Sequence, residues 1–312
     1  MQQPSVLVVG AGAVGGFYGA ILHRAGAAVS VVSRSDYERI VSDGIRVDST
    51  LGDLSYRPAA VYRQADDCPQ PPDYLLLTVK VVDGLDRAAL IRGAVGPGTT
   101  IVMIENGIDI EPEIAVAFPS NPLISALAFV AVTRIAPAHL EHKAYGHLVL
   151  GDYPLGAGEG VQQFAAMLDK GGVSGKVRDN VVRERWRKCV WNVAFNPTSV
   201  LAGGADTQTM LNAPGSEAFI RSLMEEVCLV AAAEGQALDL SLIDGILEQT
   251  RQMPAYKNSM AEDFLHHRPM EVEAILGNVV RLARKHDVAV PHLSSIYTLI
   301  GMLLANREAP RA

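Results

Sequence analysis

The chain has 312 residues, 49% of them hydrophobic and 20% charged, the profile of a folded enzyme-sized protein and not of a disordered one. Its formal net charge of −7 argues against nucleic acid or an anionic membrane surface as partner, although a local site can still be positive for a small anionic substrate. Three scattered cysteines (Cys68, Cys189, Cys228) form no Cys-x-x-Cys pair, which suits a reducing compartment. The adjacent His266 and His267 would point about 100° apart on a helix, a poor chelate, so no metal is expected. The uncharged stretch before His23 lacks the positive start of a signal peptide, and its glycines would make a poor membrane helix. These features predict a cytoplasmic protein.

Ser5–Val9 (SVLVV) is a short apolar run ending in glycine, as in a buried strand of a parallel sheet. Gly10-Ala11-Gly12-Ala13-Val14-Gly15 follows, the G-x-G-x-x-G pattern. Its first glycine permits a tight turn, the second lets a pyrophosphate approach the backbone, and the third lets helix pack on strand. A helix to about Ala25 would aim free N–H groups at the phosphates, and a second strand, Ala28–Val32, closes a βαβ unit. In this setting the pattern predicts dinucleotide binding. The end of the second strand selects the dinucleotide. An NAD site would place a carboxylate there, whereas this chain has Ser33, Arg34 and Ser35, with Asp36 one step late. A guanidinium forks onto a 2′-phosphate, so NADP (NADPH) is expected, against the alternative of a solvated loop arginine.

Gly44–Tyr56 reads as a hairpin, and Tyr74–Val79 and Ile101–Ile104 as buried strands that end at Lys80 and at Glu105-Asn106-Gly107. Open α/β sheets bind ligands at the carboxyl ends of their strands. Lys80 or Asn106 alone is an ordinary strand-end residue; together they favour a site. Leu123–Val132 is apolar and Thr133–Leu150 alternates with turn residues, suggesting antiparallel strands that close the sheet; Gly151–Gly160 reads as a loop, Phe164–Leu168 as a helix and Val173–Val177 as a last strand. Beyond about Asn180 only helical periodicity remains, over 181–196, 216–234, 239–252, 269–286 and 292–304; Phe219, Leu223, Val227 and Val230 form one stripe. The fold expected is an α/β N-terminal Rossmann-type dinucleotide-binding domain over residues 1–179, followed by an all-α C-terminal domain over 180–312.

Two stretches of the helical half carry chemistry. Lys188, Asn192 and Asn196 are spaced by four, drifting about 40° per step, so an ammonium and two amides share one helix face. Pro197 is expected to stop or kink the helix beside them. The row either holds a small polar ligand or is a solvated face with an incidental lysine. Tyr256–Met260 follows Pro254 as a loop or helix start. In Arg268–Glu273, Pro269 would open a helix with carboxylates in its first turns. Glu271 leads a stripe that is otherwise apolar (Ile275, Val279), so its carboxylate needs a partner.

In order and spacing these landmarks resemble the 2-dehydropantoate 2-reductase (ketopantoate reductase) family along nearly the whole chain. They are GAGAVG, Arg34, TVK ending at Lys80, Asn106-Gly107, EHKAYGHLVLG, WRKCVWNVAFNP, NSMAED, RPMEVE and HDVAVP. The resemblance implies an NADPH-binding Rossmann domain, a helical domain, and a small 2-oxo acid held between them. It implies that Lys188 is the catalytic acid, with Glu271 important for the site and close to the cofactor. Asn106, Asn192, Asn196 and Ser259 would contact substrate. The cofactor would be held by Gly10, Ala11, Gly12, Ala13, Val14, Gly15, Arg34, Lys80, Asn106, Glu271 and a backbone contact at Thr133.

The chemistry agrees, because hydride arriving at C2 of a 2-oxo acid leaves negative charge on oxygen, which a cation with a transferable proton stabilises. The activity implied is reduction of ketopantoate to pantoate in pantothenate biosynthesis. Several positions depart from the family pattern: Asp206 for an asparagine, Met270 and Glu273 for threonine and aspartate, His292-Leu293 without an asparagine after Pro291, and Glu105 for glutamine. Asp206 would repel an anionic substrate if it faced the pocket. The departures keep open a reductase of another small 2-oxo acid, and the third reading is a non-catalytic NADP-binding sensor. The apolar helical half is compatible with a homodimer.

Overall fold

A computed structural model describes residues 3–308 of the chain. The chain divides into two compact units. The first comprises the residues up to Lys80, Leu85–Glu105 and Ile110–Val182; the second comprises Val81–Gly84, Asn106–Asp109 and the residues from Arg183 on. A single cut near residue 180 is therefore too simple, since two short segments that come after strand ends group with the helices.

The first unit opens with the βαβ element β1 (Ser5–Val9), α1 (Ala13–Arg24) and β2 (Ala28–Val32). It continues through α2 (Tyr37–Asp43), β3 (Ile45–Ser49), β4 (Leu54–Tyr56), β5 (Val61–Tyr62), β6 (Tyr74–Leu77), α3 (Arg87–Ile91) and β7 (Thr100–Ile104). Then come α4 (Pro112–Ala117), β8 (Leu123–Ala136), β9 (His139–Asp152), α5 (Glu159–Lys170) and β10 (Gly175–Val177). The strands form one sheet in the order β4-β3-β9-β8-β7-β6-β1-β2-β5, with β10 added beside β9. Strands β8, β7, β6, β1 and β2 are parallel neighbours, so the carboxyl ends of β1, β6 and β7 lie along one edge. β6 and, after Thr100, β7 are runs of buried residues because both their faces are covered.

The hairpin of β3 and β4 forms as the sequence suggests, pairing Ile45 with Tyr56. The long pair β8 and β9 is antiparallel, with three shifts of register along it. Helix α1 is flanked by β1, β2, β3, β4, β8 and β9, and eight consecutive residues, Gly15–Leu22, are buried. This enclosure explains the glycines inside the helix: a Cβ on Gly16 would lie 2.7 Å from Leu140 Cδ1, and one on Gly19 would overlap the Tyr56 hydroxyl.

The second unit contains most of α6 (Val181–Leu201), then α7 (Thr207–Asn212), α8 (Ser216–Ala233), α9 (Ser241–Gln252) and α10 (Ser259–Leu265). A π turn over Glu273–Gly277 runs straight into α11 (Asn278–Lys285), and α12 (Pro291–Glu308) comes last. Of the two outcomes expected at Pro197, a stop or a kink, the stop does not occur, and α6 continues to Leu201. Proline removes only the bond to the Val193 carbonyl, while Val193, Ala194, Phe195 and Val200 are buried on both sides of it and hold the helix to the core. The helix expected from Pro269 starts only at Val272, after Pro269–Glu271, which belong to no helix or strand.

On α8 the stripe Leu223, Val227 and Val230 is fully buried. From the same helix buried Glu226 accepts the backbone N–H groups of His292 (3.0 Å) and Leu293 (2.8 Å) and so caps α12. No described helix is long and apolar enough to cross a membrane.

Candidate active site

In the first unit the dinucleotide loop is made of backbone. After β1 the chain turns through Gly10 at φ +98°, where a Cβ would also meet Val79 Cγ1 at 2.9 Å. A Cβ on Gly15 would overlap the Gly10 carbonyl oxygen and Thr78 Oγ. Thr78 Oγ donates to the carbonyls of Gly10 (2.8 Å) and Val9 (3.0 Å), fixing the turn. The chain's own packing thus demands glycine at 10 and 15. Gly12 differs, because a Cβ there would meet nothing nearer than the Gly10 oxygen at 4.0 Å. Internal packing does not explain that glycine; a pyrophosphate lying against the backbone does. Gly12 is also the N-cap of α1 and offers no side-chain oxygen to the first-turn N–H groups, which remain for an anion. The loop fits a dinucleotide.

Arg34 and Ser35 are exposed just beyond β2, while Asp36 is 3% exposed. Asp36 accepts hydrogen bonds from Ser35 Oγ (3.0 Å), the Ala138 N–H (2.9 Å) and the Arg134 guanidinium. Thr133 is exposed on β8 opposite Glu141. The neighbouring β9 residues flank the first turns of α1: Leu140 is the close neighbour of Gly16, and the His142 ring lies 4.5 Å from that of Phe17. Thr133 therefore rides on a strand pair that runs past the loop's helix. Lys80 stands three residues beyond the end of β6.

In the second unit Lys188, Asn106, Arg185 and Glu271 converge. Lys188 Nζ donates to Asn106 Oδ1 at 2.7 Å. The next two residues of the chain hold Asn106 in place. Gly107 has φ +119°, and a Cβ there would lie 2.7 Å from the Ala274 carbonyl oxygen. The Ile108 N–H donates to that oxygen at 2.9 Å, and Asn278 Nδ2 donates to the Ile108 carbonyl at 2.6 Å. Arg185, 2% exposed and nearly one turn before Lys188, donates from Nη1 to the Gly107 carbonyl at 3.1 Å. Glu271, 8% exposed, accepts the Val81 N–H at 3.0 Å, so the carboxylate has the partner its apolar stripe called for.

Lys188 is partly buried, and loss of water is the largest influence on its charge. Arg185 disfavours a second cation, Glu271 opposes it, and the pKa is pushed down to about 8. The ammonium gives up its proton more readily than an ordinary lysine, as a general acid near neutral pH requires.

Residues 6–154 match the family model described as "Ketopantoate reductase PanE/ApbA", and residues 180–304 match "Ketopantoate reductase PanE/ApbA C terminal". The chain belongs to the ketopantoate reductase family. It is an oxidoreductase of that type. A 2-dehydropantoate 2-reductase of Nostoc sp. is 30% identical to it over 95% of this chain and 94% of its own. The crystal structure of 2-dehydropantoate 2-reductase from Methylococcus capsulatus shares 50% identity and covers 98% of each chain at a TM-score of 0.93. The ternary structure of D-mandelate dehydrogenase with NADH and anilino(oxo)acetate covers 96% of this chain and 97% of its own, with a TM-score of 0.87. At 19% identity it speaks for the fold alone.

Against the ketopantoate reductase pattern, three of the departing residues, Glu105, Asp206 and Glu273, have polar partners within their own unit. Glu105 pairs with Arg87 at 2.8 Å, their side chains 0% and 3% exposed, so a carboxylate replaces the family's glutamine where a buried guanidinium neutralises it. Asp206 caps α7 by accepting the Thr209 N–H at 2.8 Å, a bond that holds its carboxyl below the usual range. The carboxylate that would repel substrate if it faced the pocket is thus engaged as a helix cap. Glu273 accepts the Tyr297 hydroxyl at 2.8 Å and pairs with Arg281. Leu293 is fully buried. Nothing in the structure explains Met270.

Of the other expected residues, Asn192 and Asn196 lie on α6 at 8% and 2% exposure. Asn196 Oδ1 has no hydrogen-bond partner among the described residues, a costly state for a buried acceptor unless a ligand donates to it. Ser259 is exposed at the first position of α10. Its neighbour Asn258 is the buried group, capping α10 through the Ala261 N–H (2.9 Å) and donating to the Phe195 carbonyl (3.2 Å). The structure thus puts Ser259 beside a contact to α6 without turning it inward. Arg185 and the Ala274 carbonyl were not anticipated. The spacing of Arg185, three before Lys188, is the signal that was there to read.

Proposed function

We propose that this chain reduces 2-dehydropantoate to pantoate with NADPH, serving pantothenate biosynthesis in the cytoplasm, with Lys188 as the general acid. The observation that carries the reading is the Lys188–Asn106 contact in surroundings that bring the lysine's pKa to about 8. When bound, NADPH supplies the hydride for C2 of the oxo acid. Lys188 Nζ then delivers a proton to the developing alkoxide, and its charge stabilises that oxygen beforehand. Asn106 fixes where the ammonium points. Two cations, Lys188 and Arg185, face one carboxylate, Glu271, so the locality favours an anion although the chain as a whole carries −7.

Asn192 and Asn196 hold the substrate's carboxylate and hydroxyl, and the buried acceptor Asn196 Oδ1 suits a hydroxyl donor. Ser259 completes the substrate set, and Glu271 steadies the lysine's charge. The loop Gly10, Ala11, Gly12, Ala13, Val14, Gly15, together with Arg34, Lys80, Thr133, Asn106 and Glu271, holds the cofactor. All three cysteines are free and two are buried, in keeping with a reducing compartment.

The reading of another small 2-oxo acid rested on the departures from the family. Four of those residues, Glu105, Asp206, Glu273 and Leu293, are engaged inside the protein by an ion pair, a helix cap, a hydroxyl and burial, which supports 2-dehydropantoate over another acid. The test monitors NADPH oxidation by its near-ultraviolet absorbance with 2-dehydropantoate and a panel of 2-oxo acids. A kcat/KM of roughly 10⁴ M⁻¹s⁻¹ or more for 2-dehydropantoate, above every other acid, is expected. A faster alternative acid would overturn the substrate, and no turnover of any acid would leave only a dinucleotide-binding sensor.

A further inference from the structure

The residue that would spoil an NADPH site in this chain is Asp36. It stands two positions after Arg34, one step past the place where a carboxylate takes the free ribose hydroxyls of NADH, and its charge would repel a 2′-phosphate held by Arg34. Asp36 is also the N-cap of α2, yet its side chain makes no capping bond. Both oxygens are engaged elsewhere. Oδ1 accepts from Ser35 Oγ at 3.0 Å and from the Arg134 guanidinium, and Oδ2 accepts the Ala138 N–H at 2.9 Å. Arg134 and Ala138 belong to the end of the β8–β9 pair, 98 and 102 residues further along the chain. The carboxylate is 2% exposed, whereas 39% of the Arg134 side chain remains open to solvent. Arg134 is thus anchored by Asp36, two residues after exposed Arg34, with more than a third of its side chain still open to solvent.

We infer that Arg134 is a second determinant of selectivity for a 2′-phosphorylated dinucleotide, cancelling the charge of Asp36 and adding a guanidinium to that of Arg34. The inference rests on the NADPH reading above and adds to it a residue from a distant part of the sequence. With both arginines the neighbourhood of Asp36 is net positive by one charge; without Arg134 it is neutral. A dianionic 2′-phosphate feels that change, and an unphosphorylated ribose does not. Anchoring also holds the guanidinium in place before the ligand arrives, which lessens the ordering that binding requires.

The experiment measures binding of NADPH and NADH by fluorescence of the reduced nicotinamide, with no substrate present. It uses the wild-type chain, Arg134→Ala, Arg134→Lys and the double variant Arg134→Ala/Asp36→Asn, with thermal midpoints recorded for each. Arg134→Ala is expected to weaken NADPH by about tenfold or more while NADH changes less than about twofold. Asp36→Asn in that background should restore part of the NADPH affinity by removing the uncompensated carboxylate. Arg134→Lys should keep most of the preference and controls for a loss of folding.

A loss common to both nucleotides in Arg134→Ala, mirrored in Arg134→Lys, would mark a merely structural residue and overturn the inference. So would a preference for NADPH that survives Arg134→Ala unchanged, which would leave the NADPH reading standing on Arg34. A wild-type chain that binds NADH as tightly as NADPH would overturn the NADPH reading itself, and this inference with it.

Discussion

The loop Gly10–Gly15 in the first unit and the lysine site in the second are built from different materials. The loop consists of backbone, and its design is the absence of side chains: two glycines are required by the protein's own packing and one by nothing in the protein. The lysine site consists of side chains, each set by another. Asn106 orients Lys188, Gly107 and Ala274 fix Asn106, Arg185 ties down Gly107, and Arg185 and Glu271 tune the lysine's charge. The backbone site comes from six contiguous residues, whereas the side-chain site draws on residues from Val81 to Asn278. The contrast teaches where each is vulnerable: the first to any added atom, the second to loss of one charge.

The largest effect is expected where chemistry depends on a single group. Lys188→Ala should lower kcat by about 10³-fold while leaving the dissociation constant for NADPH within about twofold, as steady-state kinetics and nucleotide titration would show. Equal loss of both would mean that the lysine builds the fold and not the reaction. Next comes the pair that separates packing from ligand within the loop. Gly12→Ala should weaken NADPH by about a hundredfold with an unchanged thermal midpoint, because the protein has room for the methyl and the pyrophosphate does not. Gly15→Ala should lower the midpoint itself, since its Cβ overlaps Gly10 and Thr78. If both variants behave alike, the distinction drawn between these glycines fails. The smallest effect belongs to Asp206→Ala, which should cost about 1 kcal/mol of stability through the lost cap of α7 and leave KM untouched. A fall in KM would instead place that carboxylate against the substrate.

What the sequence revealed obeys the same division. Strands β1, β2, β6 and β7 were legible because continuous apolar runs between glycine and polar breaks have few other uses. The glycine loop was legible because its spacing is a backbone requirement. On α6 the row Lys188, Asn192 and Asn196 could be read from helical geometry alone. The continuation of that helix past Pro197 could not, because it depends on burial of Val193, Phe195 and Val200 against residues remote in sequence. Helix α7 is six residues long, too short for periodicity, so the sequence shows Asp206 as a carboxylate in place of a family asparagine and not as a cap. That Asn258 and not Ser259 is the buried cap of α10 is a one-residue difference that only the bond to Ala261 decides. The grouping of Asn106–Asp109 with the helices is tertiary in origin and left no local trace.

The central claim is that Lys188 donates a proton from a pKa of about 8, and the pH dependence of kcat/KM with 2-dehydropantoate and NADPH tests it most directly. Reduction requires the ammonium, so the rate should be level below about pH 8 and fall about tenfold per unit above it. Stability should move the other way. The unfolded chain holds this proton up to the ordinary lysine value, so the residue's contribution to stability rises with pH between about 8 and that value. Glu271→Gln keeps an acceptor for Val81 but removes the charge that supports the ammonium, so the alkaline limb should shift to lower pH. A limb near pH 8 that moves down in Glu271→Gln is the expected result. A profile that stays level through the same range, or a limb that Glu271→Gln leaves in place, would contradict it.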